Sequence, residues 1–394
     1  MFFEAWWTVT DERQGEFPET EVVLRKFDMT HLETPCIVVD YEQCMRNIQK
    51  VQHIADRNGC RLRPHIKTHK SIYWAKKQIE AGASGITCAK VSEAEVMASG
   101  GIDDIFIAYP VVGEFRVRRA AALNRQIRRL IVGVDSAEGA QTLSKEAVKS
   151  GKILEVRVEV DTGAKRTGES PDRVLSLARQ ICRLPGLNLA GIYTFKGLVC
   201  NNKVTTDAKA AGREEGQLMH DVYEQLKANG IAVSDISAGS TPTGEAVAET
   251  GMVNEIRPGT YIFYDYMCYR EGACKPDEIA ASMVATVVST PSPEYAVIDG
   301  GTKTFPTDVP LNAPPYYFPA YAITEGNDDL LLTRMNEEHG MLTSKRGNTG
   351  LRIGRELRLI PLHICTAINL QNRFYLWKNG TMTECKVDAR GMLV

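Results

Sequence analysis

The sequence has no apolar run long enough to span a membrane. Its first residues, MFFEAWWTVTDERQGE, are only briefly apolar and carry Glu4 where a secretory leader is basic, so no signal peptide is expected there. Net charge is nearly absent: 47 Lys and Arg against 49 Asp and Glu leave −2 over 394 residues. So balanced a chain argues against broad binding to nucleic acid or an anionic membrane. The ten cysteines form no Cys-x-x-Cys pair and no tight framework. In a chain of this length they read as reduced thiols of a cytoplasmic protein. No Gly-x-Gly-x-x-Gly follows the first strand-like run, which argues against a dinucleotide-binding open sheet.

What is present is an alternation. From about residue 34, short β-branched runs are followed by polar stretches of helical period. The runs start with PCIVVD (35–40) and RLRPHIK (61–67) and continue through DIFIAYP (104–110) and LEVRVEVDT (154–162) to EIRPGTYIF (255–263). Helical candidates at 41–59, 170–184 and 206–230 fill the gaps, and Ser71, Ser92 and Ser170 are expected helix caps. Alternation of this kind means a parallel sheet, and eight strands from Arg61 to Phe263 fit a (β/α)8 TIM-type barrel. After about Asp277 the rhythm changes to strands joined by turns, among them EIAASMVATVVST, EYAVIDGG, ELRLIPLHICTAINL and RFYLWKNG. The expected class is α/β + β: a barrel over 31–270 and a C-terminal, mainly antiparallel β domain over 271–394. The segment 1–30 either stands apart or joins the β domain.

One stretch is dense in basic groups. RPHIKTHK (63–70) holds Arg63, His65, Lys67, His69 and Lys70. It is expected at the C-terminal end of the first barrel strand, where barrel chemistry sits. Alternation puts Arg63, His65 and Lys67 on one face, which is costly unless they have partners. Cations crowded together make a neutral amine more accessible, and Schiff-base chemistry needs that form. A phosphate-binding or merely solvated basic loop is the equal alternative from these residues alone. SAGSTPTGE (237–245) and RPGTYIFYD (257–265), after the seventh and eighth strands, favour phosphate, because small residues and helix-start N–H groups suit it and this end of a barrel commonly binds it.

RPHIKTHK, VDTGAKRTGE (160–169), SAGSTPTGE, RPGTYIFYD and PLHICTAINL (361–370) together resemble the D-threonine aldolase and D-serine dehydratase family of alanine-racemase-like, fold-type III pyridoxal phosphate enzymes. The motifs occur in family order over nearly the whole chain. The resemblance implies pyridoxal 5'-phosphate joined to Lys67. It also implies a cofactor-binding set of His65, Arg166, Phe195, Ser237, Gly239, Ser240, Thr241, Gly259 and Tyr261, and a homodimer.

His363 and Cys365 are expected at i and i+2 of a strand, facing the same way. By themselves they suit a buried cysteine beside a satisfied histidine. The resemblance instead assigns them the family's divalent metal, with Zn²⁺ favoured by the thiolate and Mn²⁺ the alternative, and makes Lys67, His363 and Cys365 the catalytic set. Asp308 and His339 resemble family positions near this site, or are surface loop residues.

The activity implied is a metal-assisted lyase acting on a D-3-hydroxy amino acid. Removal of the Cα proton by Lys67 leads to dehydration, giving a 2-oxo acid and ammonia. Deprotonation of the β-hydroxyl leads instead to retro-aldol cleavage, giving glycine and an aldehyde. Cys365 leans toward the D-serine dehydratase side, since described aldolases often carry Asp there. The chain departs from the pattern at Phe195 and Lys196, where relatives commonly have Tyr and a polar residue, and at Leu362, where Asn is usual. It also lacks the His that some aldolases carry shortly after Phe195. An amino-acid racemase needs no metal pair, and non-enzymatic pyridoxal phosphate proteins resemble the barrel alone.

Overall fold

The structure, a computed structural model, describes residues 32–394; the segment 1–30 discussed above lies outside the described residues. Eight parallel strands form one sheet: Arg61–Leu62, Ile86–Cys88, Asp104–Pro110, Arg129–Val134, Leu154–Glu159, Leu187–Tyr193, Asp235–Ala238 and Glu255–Ile256. Neighbours in the sheet follow chain order. The eighth strand pairs back to the first, and a bridge between His65 and Thr87 joins the first to the second, so the ring closes as a barrel. Helices lie between successive strands, from Ile72–Glu80 to Gly244–Ala248, and Tyr41–Arg57 precedes the first. Their apolar faces and the outward strand residues, such as Ile105, Ile107, Val156 and Val158, form one continuous core.

The inside of the barrel is charged at its centre. Arg63 donates to Glu255 and Asp104 at 2.9 and 2.6 Å, and Arg157 donates to Asp235 at 2.7 Å and to Glu255. Each of these buried cations therefore faces carboxylates, the condition for burying it at all. Burial would raise the Glu255 carboxyl, but Arg157 and Arg63 hold it well below its ordinary value. Next in the interior comes an aromatic layer in which Phe106 and Tyr193 meet edge to face. Gly133 makes room for it, since a Cβ there would lie 2.2 Å from the Tyr193 hydroxyl.

The second sheet has nine strands, and six of them close into an antiparallel barrel of their own: Ala281–Ser292, Tyr295–Ile298, Gly340–Ser344, Asn327–Met335, Ala322–Thr324 and Glu356–Pro361. Cys36–Asp40 extends this sheet, antiparallel to Ala281–Ser292 and parallel to Arg373–Lys378. The run PCIVVD thus belongs to the second sheet, although it opens the strand–helix alternation. All five residues of the strand Cys36–Asp40 are buried, so it has no polar face from which periodicity could assign it to one sheet or the other.

Capping also differs from expectation. Ser71 and Ser170 precede helices without making a side-chain cap bond, and Ser92 lies inside Val91–Ser99, where its hydroxyl donates to the Val394 carbonyl at 2.6 Å. Asp40, Ser136 and Asp207 supply side-chain caps instead. Among the described residues no helix is long and apolar enough to cross a membrane.

Candidate active site

The five basic residues of RPHIKTHK separate in space. Arg63 is consumed by the interior carboxylates. His69 is buried, with Nδ1 accepting from the Ser71 N–H at 3.1 Å and Nε2 3.2 Å from the Gln78 amide oxygen. Burial pushes its imidazole down to about 4. Lys70 turns away at φ 49° to pair with Glu93 at 2.7 Å. Only His65 and Lys67 line a cavity of about 340 Å³ at the C-terminal ends of the barrel strands. Burial, then the charges of Lys67, Arg257 and Arg166, hold His65 neutral, far below its usual range. Lys67 Nζ lies 5.8 Å from the centre of the Phe195 ring, and the Arg166 guanidinium lies 4.6 Å from the same ring.

One wall of the cavity is built by the loops after the seventh and eighth strands. Gly239 adopts φ 87°, and a Cβ there would lie 3.0 Å from Gly244 Cα. Gly259 lets its loop close on the Lys67 turn: a Cβ would meet the His65 carbonyl at 3.0 Å. Ser240 and Thr241 line the cavity, and the Thr241 N–H has no partner among the described residues. Two residues expected in this wall are elsewhere. Ser237 is fully buried between Glu255 and Arg257, with both contacts at 2.6 Å. The Tyr261 hydroxyl accepts from Gln78 at 3.0 Å in the core, and Tyr261 does not line the cavity.

The opposite wall comes from the second domain. His363 and Cys365 meet there, but not by strand alternation. The strand ends at Pro361, His363 is the extended residue before a helix, and Cys365 lies in the first turn of that helix, Ile364–Leu370. Asp265 braces the junction, accepting from the Ile364 N–H at 3.0 Å while its other oxygen caps the helix Tyr266–Arg270. His363 Nδ1 is 2.6 Å from Asp308. Cys365 Sγ is 3.0 Å from the Thr68 hydroxyl and 3.4 Å from that of Thr260. Burial opposes both charges, yet the two groups outweigh it for each other: His363 lowers the Cys365 thiol, and Cys365, with Asp308, raises the His363 imidazole well above its usual range. His339 is an exposed turn residue away from the cavity.

These features coincide with similarity to known proteins. The family described as alanine racemase, N-terminal domain, matches residues 39–267, and the putative serine dehydratase domain matches 280–377. The chain is 32% identical to D-threonine aldolase of an Arthrobacter species over 92% of this chain and 94% of that one. It is 31% identical to D-threo-3-hydroxyaspartate dehydratase of a Delftia species, strain HT23, over 85% and 91%. A solved structure of D-threo-3-hydroxyaspartate dehydratase, a cysteine-to-alanine mutant in the metal-free form, superposes with a TM-score of 0.82 at 28% identity, covering 92% of this chain and 99% of that one. The chain belongs to the D-threonine aldolase and D-serine dehydratase family. Aldolases and dehydratases are both lyases, and the protein is an enzyme of that class.

Several cavity residues of this family member have no role expected from the sequence, although Arg257 opens the motif RPGTYIFYD. Glu159, Tyr193, Arg257, Met267 and Glu271 all line the cavity. Tyr193 donates to Glu159 at 3.0 Å. Arg257 is buried and donates to Ser237 and to the Thr194 carbonyl. Burial, then the Asp265 carboxylate, push the Glu271 carboxyl up to about 8. A lone Glu after a tyrosine-rich turn reads as surface in sequence, and only the packing of the helix Tyr266–Arg270 against the second domain brings it to the cavity.

Proposed function

We propose that the protein is a lyase of D-3-hydroxy amino acids that uses pyridoxal 5'-phosphate and a divalent metal, with dehydration as its main reaction. The observation that carries this is the meeting, in one cavity, of Lys67 from the barrel with the His363–Cys365 pair from the second domain. The residues suit both groups. The Ser240 and Thr241 hydroxyls and the unpartnered Thr241 N–H are donors for a phosphate, and the Phe195 ring offers a flat apolar surface beside Lys67. An imidazole and a thiolate suit Zn²⁺, and no third His, Cys, Asp or Glu among the described residues completes a closed metal cluster. Such a site leaves positions open, as catalytic zinc requires.

Pyridoxal phosphate, when bound, supplies an electron sink at the substrate Cα. A divalent metal, when bound, supplies Lewis acidity toward the β-hydroxyl. The chain's own groups do the rest. Lys67 Nζ would hold the cofactor and is the amine placed to take the Cα proton. His65, held neutral, adds no competing charge beside that amine. His363 and Cys365 would hold the metal, with Asp308 fixing the imidazole through Nδ1. Aldol cleavage is the second reading. It is favoured by Glu271, a cavity carboxyl with no hydrogen-bond partner among the described residues, which could take a β-hydroxyl proton. The free state of all ten cysteines supports a cytoplasmic setting, and the family resemblance supports a homodimer.

The test is incubation with D-threonine, cofactor and Zn²⁺ or Mn²⁺, with and without chelator, followed by mass analysis of products. Chelator-sensitive 2-oxobutyrate and ammonia are expected. Glycine and acetaldehyde would move the reading to an aldolase. Inactivity toward D-threonine, D-serine and 3-hydroxy-D-aspartate would overturn it.

A further inference from the structure

We infer that Glu215 couples proton uptake to anion binding at the loop 239–243, acting through the hydroxyls of Thr243 and Ser240; this rests on the phosphate reading of that loop.

Glu215 lies on the helix Ala208–Ala228 and is buried. Two glycines bring this helix against the loop. A Cβ on Gly212 would lie 2.8 Å from the Thr243 carbonyl and from Ala246 Cβ, and one on Gly216 would lie 2.8 Å from the Thr250 hydroxyl. Glu215 therefore reaches the loop directly. One carboxyl oxygen accepts the Gly239 N–H at 3.1 Å, and the other is 3.0 Å from the Thr243 hydroxyl. Thr243 Oγ1 also accepts the Ser240 N–H at 3.0 Å and lies 3.0 Å from Ser240 Oγ.

The hydrogens in this chain can be counted. A threonine hydroxyl has one hydrogen and two lone pairs. With Glu215 ionised, the Thr243 hydrogen goes to the carboxylate. Its lone pairs then take the Ser240 N–H and the Ser240 O–H, so Ser240 has no hydrogen left for the cavity it lines. With Glu215 protonated, the carboxyl O–H donates to Thr243 Oγ1 instead. Thr243 then donates to Ser240 Oγ, and the Ser240 O–H is free to donate to an anion in the cavity. The only change is one proton, moved from solvent to Glu215, with the two hydroxyls turning in concert.

The charged surroundings suit such a switch. Burial raises the Glu215 carboxyl, and the hydrogen bonds from the Gly239 N–H and the Thr243 hydroxyl, then Arg257 and Lys196, oppose the rise without cancelling it. Glu214, beside it on the helix, is tied to Lys196 and Cys200, and Glu245 on the short helix is paired with Arg57 at the surface. An arriving anion adds negative charge next to Glu215 and favours the protonated form.

Glu215→Gln mimics that form permanently, since its carbonyl can accept from Gly239 and its amide can donate to Thr243. The experiment is calorimetry of sulfate binding to the full-length protein freed of cofactor, in buffers of different ionisation enthalpy across neutral pH. Sulfate itself does not titrate there, and pyridoxal phosphate competition identifies the site. The native protein is expected to take up protons on binding, with affinity falling by up to about tenfold per pH unit as pH rises. E215Q is expected to lose this component, as is Thr243→Val, which breaks the relay with Glu215 intact and serves if E215Q does not fold. Equal proton uptake in native and variant proteins would overturn the coupling while leaving the phosphate site standing. Absence of competable sulfate binding would overturn both.

Discussion

The Thr68 hydroxyl, one residue beyond Lys67, sits 3.0 Å from the sulfur of Cys365, 297 positions later in the chain. Through this contact the turn that carries the cavity lysine touches the histidine–cysteine junction of the second domain. The two domains do not merely adjoin: each supplies half of one site, and a shift of either moves Lys67 relative to Cys365.

The His363–Cys365 pair is expected to hold one divalent metal per chain. Cys365→Ala and His363→Ala should each lose it, measured by elemental analysis of the purified protein, and should lower activity by at least about 100-fold. Asp308→Asn keeps both donors but weakens the grip on the imidazole, and should reduce metal affinity by about 10–100-fold in a chelator titration. Full metal content in the Cys365 variant would exclude the sulfur as a ligand.

Lys196 is buried and donates to the Val199 carbonyl at 2.8 Å and to Glu214 at 2.7 Å. It thereby anchors the hairpin Val199–Cys200/Lys203–Val204, next to the cavity residues Gly197 and Leu198. Lys196→Met should speed amide exchange across residues 197–205 and raise KM more than it lowers kcat. Glu214 keeps access to water, so the stability loss should stay near 1–2 kcal/mol. Unchanged exchange in this segment would show that the hairpin is held by other contacts.

In the barrel interior, Arg157→Met leaves Glu255 and Asp235 with too few cations. The cost should be about 3–5 kcal/mol, seen as a lower urea midpoint. A loss below about 1 kcal/mol would mean that Arg63 and the remaining cations compensate.

His69 makes the fold sensitive to acid. Unfolded, it takes a proton below 6.5; folded, it stays neutral down to about 4. Between those values the unfolded chain binds more protons, so its contribution to stability falls as pH drops, by up to about 1.4 kcal/mol per pH unit. His69→Gln should show a shallower loss between about pH 6.5 and pH 4.5 in chemical unfolding. An equal slope would remove His69 from the account.

Much of this protein is local information. Strand–helix alternation from Arg61 to Phe263 is enough to specify a parallel barrel, because period and connection length depend on neighbours in sequence. Lys67, Arg166, Phe195, Ser240, Thr241, His363 and Cys365 lie in short motifs, and the fold gathers them at one cavity. Tertiary structure alone decided which members of those motifs face it. Arg63, His69 and Lys70 share a stretch with Lys67 but find Glu255, Gln78 and Glu93, because a buried cation or imidazole goes where a partner exists. Ser237 and Tyr261 are drawn into the core in the same way, and the buried strand Cys36–Asp40 joins the second sheet because its pairing partners are there. Glu215 and Glu271 carry no pattern at all. Their chemistry comes from burial and from partners distant in the chain, and those quantities exist only once the chain has folded.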